Sequence, residues 1–149
     1  MDISLVIPAY NESGIIMDTI QTVSARLAEL TAEYEVLVVD DGSTDGMAEL
    51  VRGCGDPRVR LEGYASNRGK GCAVRTGKLA AQGDLILCTD ADLAYGVDVF
   101  AGLLERLRTG EADLVIGSRR MGGEGYKNYP PLRILMSKCF GLLSRTISG

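Results

Sequence analysis

The segment Leu85-Ile86-Leu87-Cys88-Thr89-Asp90-Ala91-Asp92-Leu93 joins a short apolar run to a pair of closely spaced carboxylates. A short apolar run bounded by polar residues reads as a buried strand of a parallel sheet. Side chains alternate along an extended chain, so Asp90 and Asp92 leave the strand end on the same side. A second apolar run, Glu35 to Val39, ends in Asp40-Asp41. Open α/β sheets bind ligands beyond the carboxyl ends of their strands. Hard oxygen ligands at two such ends suggest a divalent cation and a phosphorylated ligand.

The rest of the chain repeats this strand-then-turn grammar. Ile3 to Ile7 reads as a strand stopped by Pro8. Ile15, Ile16, Ile20, Val23, Leu27 and Leu30 then recur at helical spacing, with Asn11 or Ser13 as candidate cap. Gly42-Ser43-Thr44-Asp45-Gly46 is a turn, with Asp45 capping a short helix through Cys54. Val59 to Tyr64 is a weaker strand, Cys72 to Ala81 and Val97 to Leu107 are helices, and Leu114 to Gly117 is expected as a fifth strand. Residues 121–131 read as a mobile loop, and Leu135, Met136, Cys139, Phe140 and Leu143 resume helical spacing. The alternation predicts an α/β three-layer sandwich with a mainly parallel sheet, in a single domain spanning 1–149.

Composition narrows the chemistry. With 149 residues and 46% hydrophobic content the chain can bury a real core. The net charge of −4 argues against nucleic-acid binding. Arg119, Arg120, Lys127, Arg133, Lys138 and Arg145 face only Glu124 in residues 119–149, so the C-terminal part suits an anionic partner. There is no histidine, which excludes Ser-His-Asp and Cys-His catalysis and His-ligated zinc. The four cysteines have no CxxC spacing; Cys72 and Cys88 lie in apolar contexts and are expected as buried thiols of a reducing compartment. No signal-like start and no run of about 18 apolar residues is present, so a cytoplasmic location is expected. The 132–147 helix is expected to pack on the sheet or on a second copy, the alternative being contact with an anionic membrane surface.

Loops gathered at the carboxyl edge carry the candidate site. Asp90 and Asp92 are candidate ligands for Mg²⁺ or Mn²⁺; a helix-capping pair is the plainer reading. Asp40 is a candidate acceptor for a base or ribose, while Asp41 and Ser43 suit a local turn. Tyr10 can stack on a base against Pro8, and Glu12 can bond to base or ribose. Lys70, between Gly69 and Gly71, can meet phosphate, although neither a P-loop nor Gly-x-Gly-x-x-Gly is present. Arg75 is a weaker candidate. Arg119 could clamp a diphosphate as the following loop closes.

Taken in order, Ile7-Pro8-Ala9-Tyr10-Asn11-Glu12, Asp40-Asp41-Gly42-Ser43-Thr44-Asp45, Asp90-Ala91-Asp92 and Gly117-Ser118-Arg119 resemble the family 2 glycosyltransferases of the GT-A fold. The run Asn67 to Gly77 resembles their polyprenyl-phosphate branch, the dolichyl-phosphate glucosyl- and mannosyltransferases. The resemblance implies that Pro8, Tyr10, Glu12 and Asp40 line a nucleoside pocket, with Val38 a weaker contributor. It implies donor contacts at Asp90 and Ala91, Asp92 as chief metal ligand, and Arg119 on the diphosphate. The implied reaction carries a sugar from a UDP- or GDP-sugar to a polyprenyl phosphate with inversion, as in cell-envelope glycan synthesis. Family members run longer, so the donor-binding half is expected here and the acceptor half is expected to be largely missing. A non-catalytic nucleotide-sugar binding module is the alternative. A nucleotidyltransferase ranks below both, since Tyr10-Asn11-Glu12 stands where a glycine-rich loop is needed.

Overall fold

The computed structural model describes residues 1–117. The chain divides into two compact units, Met1–Val115 and Ile116–Gly149. The expected loop at 121–131, the helix at 132–147 and Arg119 lie outside the described residues.

Strands β1 (Ile3–Ala9), β2 (Tyr34–Asp40), β3 (Val59–Gly63) and β4 (Leu85–Cys88) alternate with helices α1 (Ile16–Leu30), α2 (Met47–Arg52), α3 (Lys70–Ala80) and α4 (Val99–Arg108). The strands pair in parallel, in the order β3-β2-β1-β4. The chain winds outward from β1 through β2 to β3, then crosses back to place β4 on the other side of β1. That reversal makes a topological switch point, where the crevice at the strand ends opens.

Strand parity assigns the layers. Ile3, Leu5 and Ile7 of β1, Val36 and Val38 of β2 and Leu87 of β4 pack with Ile16, Ile20, Val23 and Leu27 of α1, Met47 and Val51 of α2, and Phe100 and Leu104 of α4. Val6, Leu37 and Val39 face the other way, onto Ala73 of α3. The result is the expected three-layer α/β arrangement.

Several elements differ from expectation. β1 runs through Pro8 to Ala9. The Ala9 carbonyl accepts from Asp41 N–H and the Val6 carbonyl from Thr89 N–H. Alternation therefore turns Pro8's missing donor toward β4, which has already ended at Cys88. No side chain caps α1; the Glu12 carbonyl accepts from the amides of Ile15 and Ile16 instead. Leu114 to Gly117 makes no ladder, and Leu114 is 74% and Ile116 77% exposed. Its apolar core, Leu114 to Ile116, is shorter than the usual strand of about five or six residues. Cys72 is half-buried and Cys88 is exposed, not buried as expected. Cys88 lies in register with Val6, on an edge strand of the described sheet, where α3 covers β1 and β2 more than β4. Among the described residues, no helix is long and apolar enough to cross a membrane.

Gly77 sets how closely α3 lies on the sheet. A β-carbon there would collide with Val6 and Val39. Gly77→Ala is expected to lower stability by about 1–3 kcal/mol, because a packed sheet face cannot absorb an added methyl. Chemical denaturation of both forms checks this.

Candidate active site

Pro8, Ala9, Tyr10, Glu12, Asp41, Asn67, Gly69, Lys70, Ala73, Asp90, Ala91 and Asp92 line one cavity of about 360 Å³. It sits at the carboxyl ends of β1, β2 and β4, at the switch point. The structure thus brings together Pro8, Tyr10, Glu12, Lys70, Asp90, Ala91 and Asp92 from the expected set. Asp40 lines a different surface hollow, with Gly63 and Tyr64. Val38 is fully buried in the core. Arg75 is exposed on α3, outside the cavity lining.

The first wall is fixed by bonds between two loops. Asn11 N–H donates to Ser43 Oγ at 2.9 Å, and Asn11 Oδ1 accepts from Thr44 N–H at 2.8 Å. Ser13 N–H donates to Asp45 Oδ2 at 2.8 Å. Asn11 takes a left-handed φ of 55°, a conformation asparagine tolerates better than most residues. These bonds hold Tyr10, 46% exposed, and Glu12 at the cavity mouth. Asp45 also accepts from Met47 N–H, so the expected capping role is present alongside the cross-loop one. The Ser13 amide, foremost among several bonds, holds the Asp45 carboxyl below its ordinary range.

Asp41 organises the opposite wall. It is 4% exposed and accepts from Tyr64 Oη at 2.6 Å, Arg68 N–H at 2.8 Å and Gly69 N–H at 2.9 Å. Burial alone would raise its pKa, but these donors outweigh it and hold the carboxyl below the ordinary value. Oδ1 takes two of those bonds and Oδ2 one, so Oδ2 keeps acceptor capacity toward the cavity. Gly42, at φ 78°, lets the 66–67 backbone close in; a β-carbon would lie 2.6 Å from Asn67 N. The Arg68 guanidinium stacks 4.9 Å from the Tyr64 ring centroid.

α3 begins earlier than its apolar spacing predicts, which puts Lys70 in its first turn. A cation at a helix N-terminus opposes the macrodipole. Asp90 compensates, with Oδ1 2.6 Å from Lys70 Nζ. The Lys70 pKa is raised chiefly by that bond, with Cys88 and Asp92 adding smaller contributions. Lysine and helix end together make this part of the cavity receptive to an anion.

Asp92 is exposed, and its Oδ1 accepts from Ala94 N–H at 3.1 Å. Leu93 follows with a left-handed φ of 48°, a strained conformation for a bulky side chain. The Ala91 carbonyl is turned away from the cavity to the Thr19 hydroxyl of α1, at 2.6 Å. Among the described residues no three acidic or thiol groups gather as a closed metal cage. An open pair of carboxylates still fits Mg²⁺ or Mn²⁺, which takes one or two carboxylates and fills its remaining positions with water and phosphate oxygen. Asp92 would be the main ligand, since Lys70 already occupies one oxygen of Asp90.

The parallel α/β sheet carries a cavity at its switch point and paired acids at a strand end, and its structural neighbours are glycosyltransferases of the GT-A fold. The chain belongs to the glycosyl transferase family 2, whose model matches residues 4–147. It is 36% identical to a dolichyl-phosphate beta-glucosyltransferase of Trichomonas vaginalis, over 98% of this chain and 47% of that protein. It is 34% identical to an undecaprenyl-phosphate mannosyltransferase of Micrococcus luteus, over 100% of this chain and 61% of that one. The chain therefore spans roughly half the length of these relatives. A mannosyltransferase of Pyrobaculum calidifontis in complex with GDP-Man and Mn²⁺ superposes with a TM-score of 0.58 at 30% identity, covering 70% of this chain and 32% of that one. A glucosyl-3-phosphoglycerate synthase of Mycobacterium tuberculosis, with Mn²⁺, UDP and phosphoglyceric acid, gives 0.56 at 28% identity, covering 74% and 40%.

Proposed function

We propose that residues 1–149 form one donor-binding glycosyltransferase domain. It transfers a hexose from a UDP- or GDP-sugar to a polyprenyl phosphate, with inversion and with Mg²⁺ or Mn²⁺. The observation that carries this is the convergence of Pro8, Tyr10, Glu12, Asp41, Lys70, Asp90 and Asp92 on one cavity. Relatives named as polyprenyl-phosphate glycosyltransferases support the acceptor class.

In this reading Tyr10 and Pro8 bracket the base, and Glu12 bonds to base or ribose. Asp41 Oδ2 accepts a ring N–H; it takes the place first expected of Asp40, which faces the neighbouring hollow. Lys70 exchanges Asp90 for the donor diphosphate. A divalent cation held by Asp92, with Asp90 beside it, would neutralise charge on the leaving nucleoside diphosphate. The acceptor phosphate is largely anionic at neutral pH, its second pKa being about 6, so its oxygen needs little help from a base. That oxygen attacks the anomeric carbon as the bond to the diphosphate breaks, and the bonding pair leaves with the nucleotide. The family resemblance carries Arg119 as a further cation for the diphosphate; it lies outside the described residues. A lipid-borne acceptor would place the reaction at the cytoplasmic face of a membrane.

Calorimetry with UDP-glucose and GDP-mannose, each with Mn²⁺, Mg²⁺ or EDTA, tests donor binding. Transfer of labelled sugar to polyprenyl phosphate tests the reaction. Micromolar, metal-enhanced binding of one donor is expected; no binding of either would refute the proposal. Binding without any transfer would favour the non-catalytic module.

A further inference from the structure

Resting on that donor-site reading, we infer that Thr19 is a positioning residue for Asp92, acting from α1 through the Ala91 carbonyl. Thr19 is 4% exposed within the buried stripe Ile16, Ile20, Val23 and Leu27. An apolar side chain would serve that stripe equally well, so the hydroxyl has a separate task. Its Oγ1 lies 2.6 Å from the Ala91 carbonyl, joining residues 72 apart in sequence. The Ile15 carbonyl is also near, at 3.0 Å. A hydroxyl has one proton to give, and the shorter contact is the better bond.

The Ala91 carbonyl belongs to the peptide unit that leads into Asp92. Fixing it fixes the direction in which Asp92 leaves the loop. On the far side of Asp92, the bonds are internal to the loop: Leu93 N–H to the Asp90 carbonyl at 3.1 Å, Gly96 N–H to the Leu93 carbonyl at 2.7 Å, and Ala94 N–H to Asp92 Oδ1 at 3.1 Å. These shape the turn but do not place it against the sheet. Leu93, at φ 48°, keeps its left-handed conformation only while its surroundings hold it. Thr19 supplies a hydrogen-bonded tie from the rigid α1 helix to this strained loop. A site tolerates errors of only about 0.5 Å in such a ligand before function suffers.

The test separates Asp92 placement from general stability. UDP and GDP are titrated into wild type, Thr19→Val, Thr19→Ser and Thr19→Ala, each with Mn²⁺ and with EDTA, and thermal unfolding is followed in parallel. Thr19→Val should lose roughly tenfold in Mn²⁺-supported nucleotide affinity, a loss typical for removing a partner that orients a metal ligand. Its affinity in EDTA should stay within about twofold of wild type, because Pro8, Tyr10, Glu12 and Asp41 are untouched. Thr19→Ser should restore the Mn²⁺ enhancement. Thr19→Ala carries the same expectation as valine should the valine variant fail to fold. An unchanged Mn²⁺ enhancement in the valine and alanine variants, or an equal loss with Mn²⁺ and EDTA, would overturn the inference alone. A wild-type chain that binds neither nucleotide overturns the donor-site reading and this inference with it.

Discussion

Asp92→Asn is expected to abolish most metal-dependent activity while leaving the fold intact. Asp92 is exposed and makes one local bond, from Ala94 N–H to Oδ1, which an asparagine oxygen can still accept. The change removes charge without removing packing, so the unfolding midpoint should hardly move. The transfer rate should fall by on the order of 10²–10³, the scale of losing one preorganised charge-stabilising group. That fall corresponds to about 3–4 kcal/mol of transition-state stabilisation. Nucleotide affinity with Mn²⁺ should drop toward the value measured in EDTA. Steady-state transfer assays and paired titrations of both forms check this; a variant retaining full Mn²⁺ enhancement would remove Asp92 from the proposed metal site.

The second large effect lies at the opposite end of the sheet. Glu35 is the second residue of β2 and is 1% exposed. It accepts from Ser4 Oγ at 2.6 Å, Gln82 N–H at 2.8 Å and Arg60 Nη1 at 2.6 Å, tying β1, β3 and the α3–β4 turn together. Glu35→Ala removes the acceptor these donors share: the Ser4 hydroxyl loses its bond to Glu35, Gln82 N–H is left with Ser4 Oγ at 3.1 Å, and Arg60 Nη1 with the Ala80 carbonyl at 3.4 Å. The expected loss is about 3 kcal/mol, the lower end for breaking a buried pair, because Arg60 keeps partial access to water. The melting temperature should fall by on the order of 10 °C. The same carboxylate gives an acid signature. Burial would raise its pKa, but Ser4, Gln82 and Arg60 prevail and the net shift is downward from 4.5. A depressed native pKa stabilises the fold above the unfolded value and loses that stabilisation as pH falls through the native one. Wild type should therefore lose melting temperature below about pH 4.5 more steeply than Glu35→Gln, whose side chain does not titrate there. Scanning calorimetry at stepped pH measures both curves.

The strand-and-turn grammar made the layered fold legible, because buried parallel strands announce themselves as apolar runs and α1 as a helical stripe. The acidic strand ends were equally readable. What the sequence could not supply was which sheet face each helix covers. Val38 and Asp40 share a parity, and the structure places Val38 with α1 and α2. Asp41 continues the parity of Leu37 and Val39, toward α3, where Lys70 begins its helix. Pro8, in register with Val39, and Asp90, just past the end of β4, line the same cavity, a juxtaposition that only tertiary pairing reveals. Asp41 and Asp40 are neighbours in sequence, yet only one of them enters the cavity with Tyr10. The cross-loop bonds of Asn11, Ser43 and Asp45 were hidden for the same reason: each is a polar turn residue locally, and its partner is more than 30 positions away.

Those cross-loop bonds divide the cavity into a fixed jaw and an adjustable one. The jaw bearing Tyr10 and Glu12 is clamped to its neighbouring turn, and its distance from β2 is set by the ladder between β1 and β2. The facing jaw, residues 64–70, is gathered chiefly on Asp41 through Tyr64, Arg68 and Gly69, with further ties from Tyr64 N–H to the Asp40 carbonyl and from Lys70 to Asp90. Efforts to retune base selectivity in the proposed donor slot would therefore start from the 64–70 side. Substituting Arg68 removes its stacking on Tyr64 while leaving the sheet untouched, whereas changes at Asn11 or Ser43 loosen the fixed jaw.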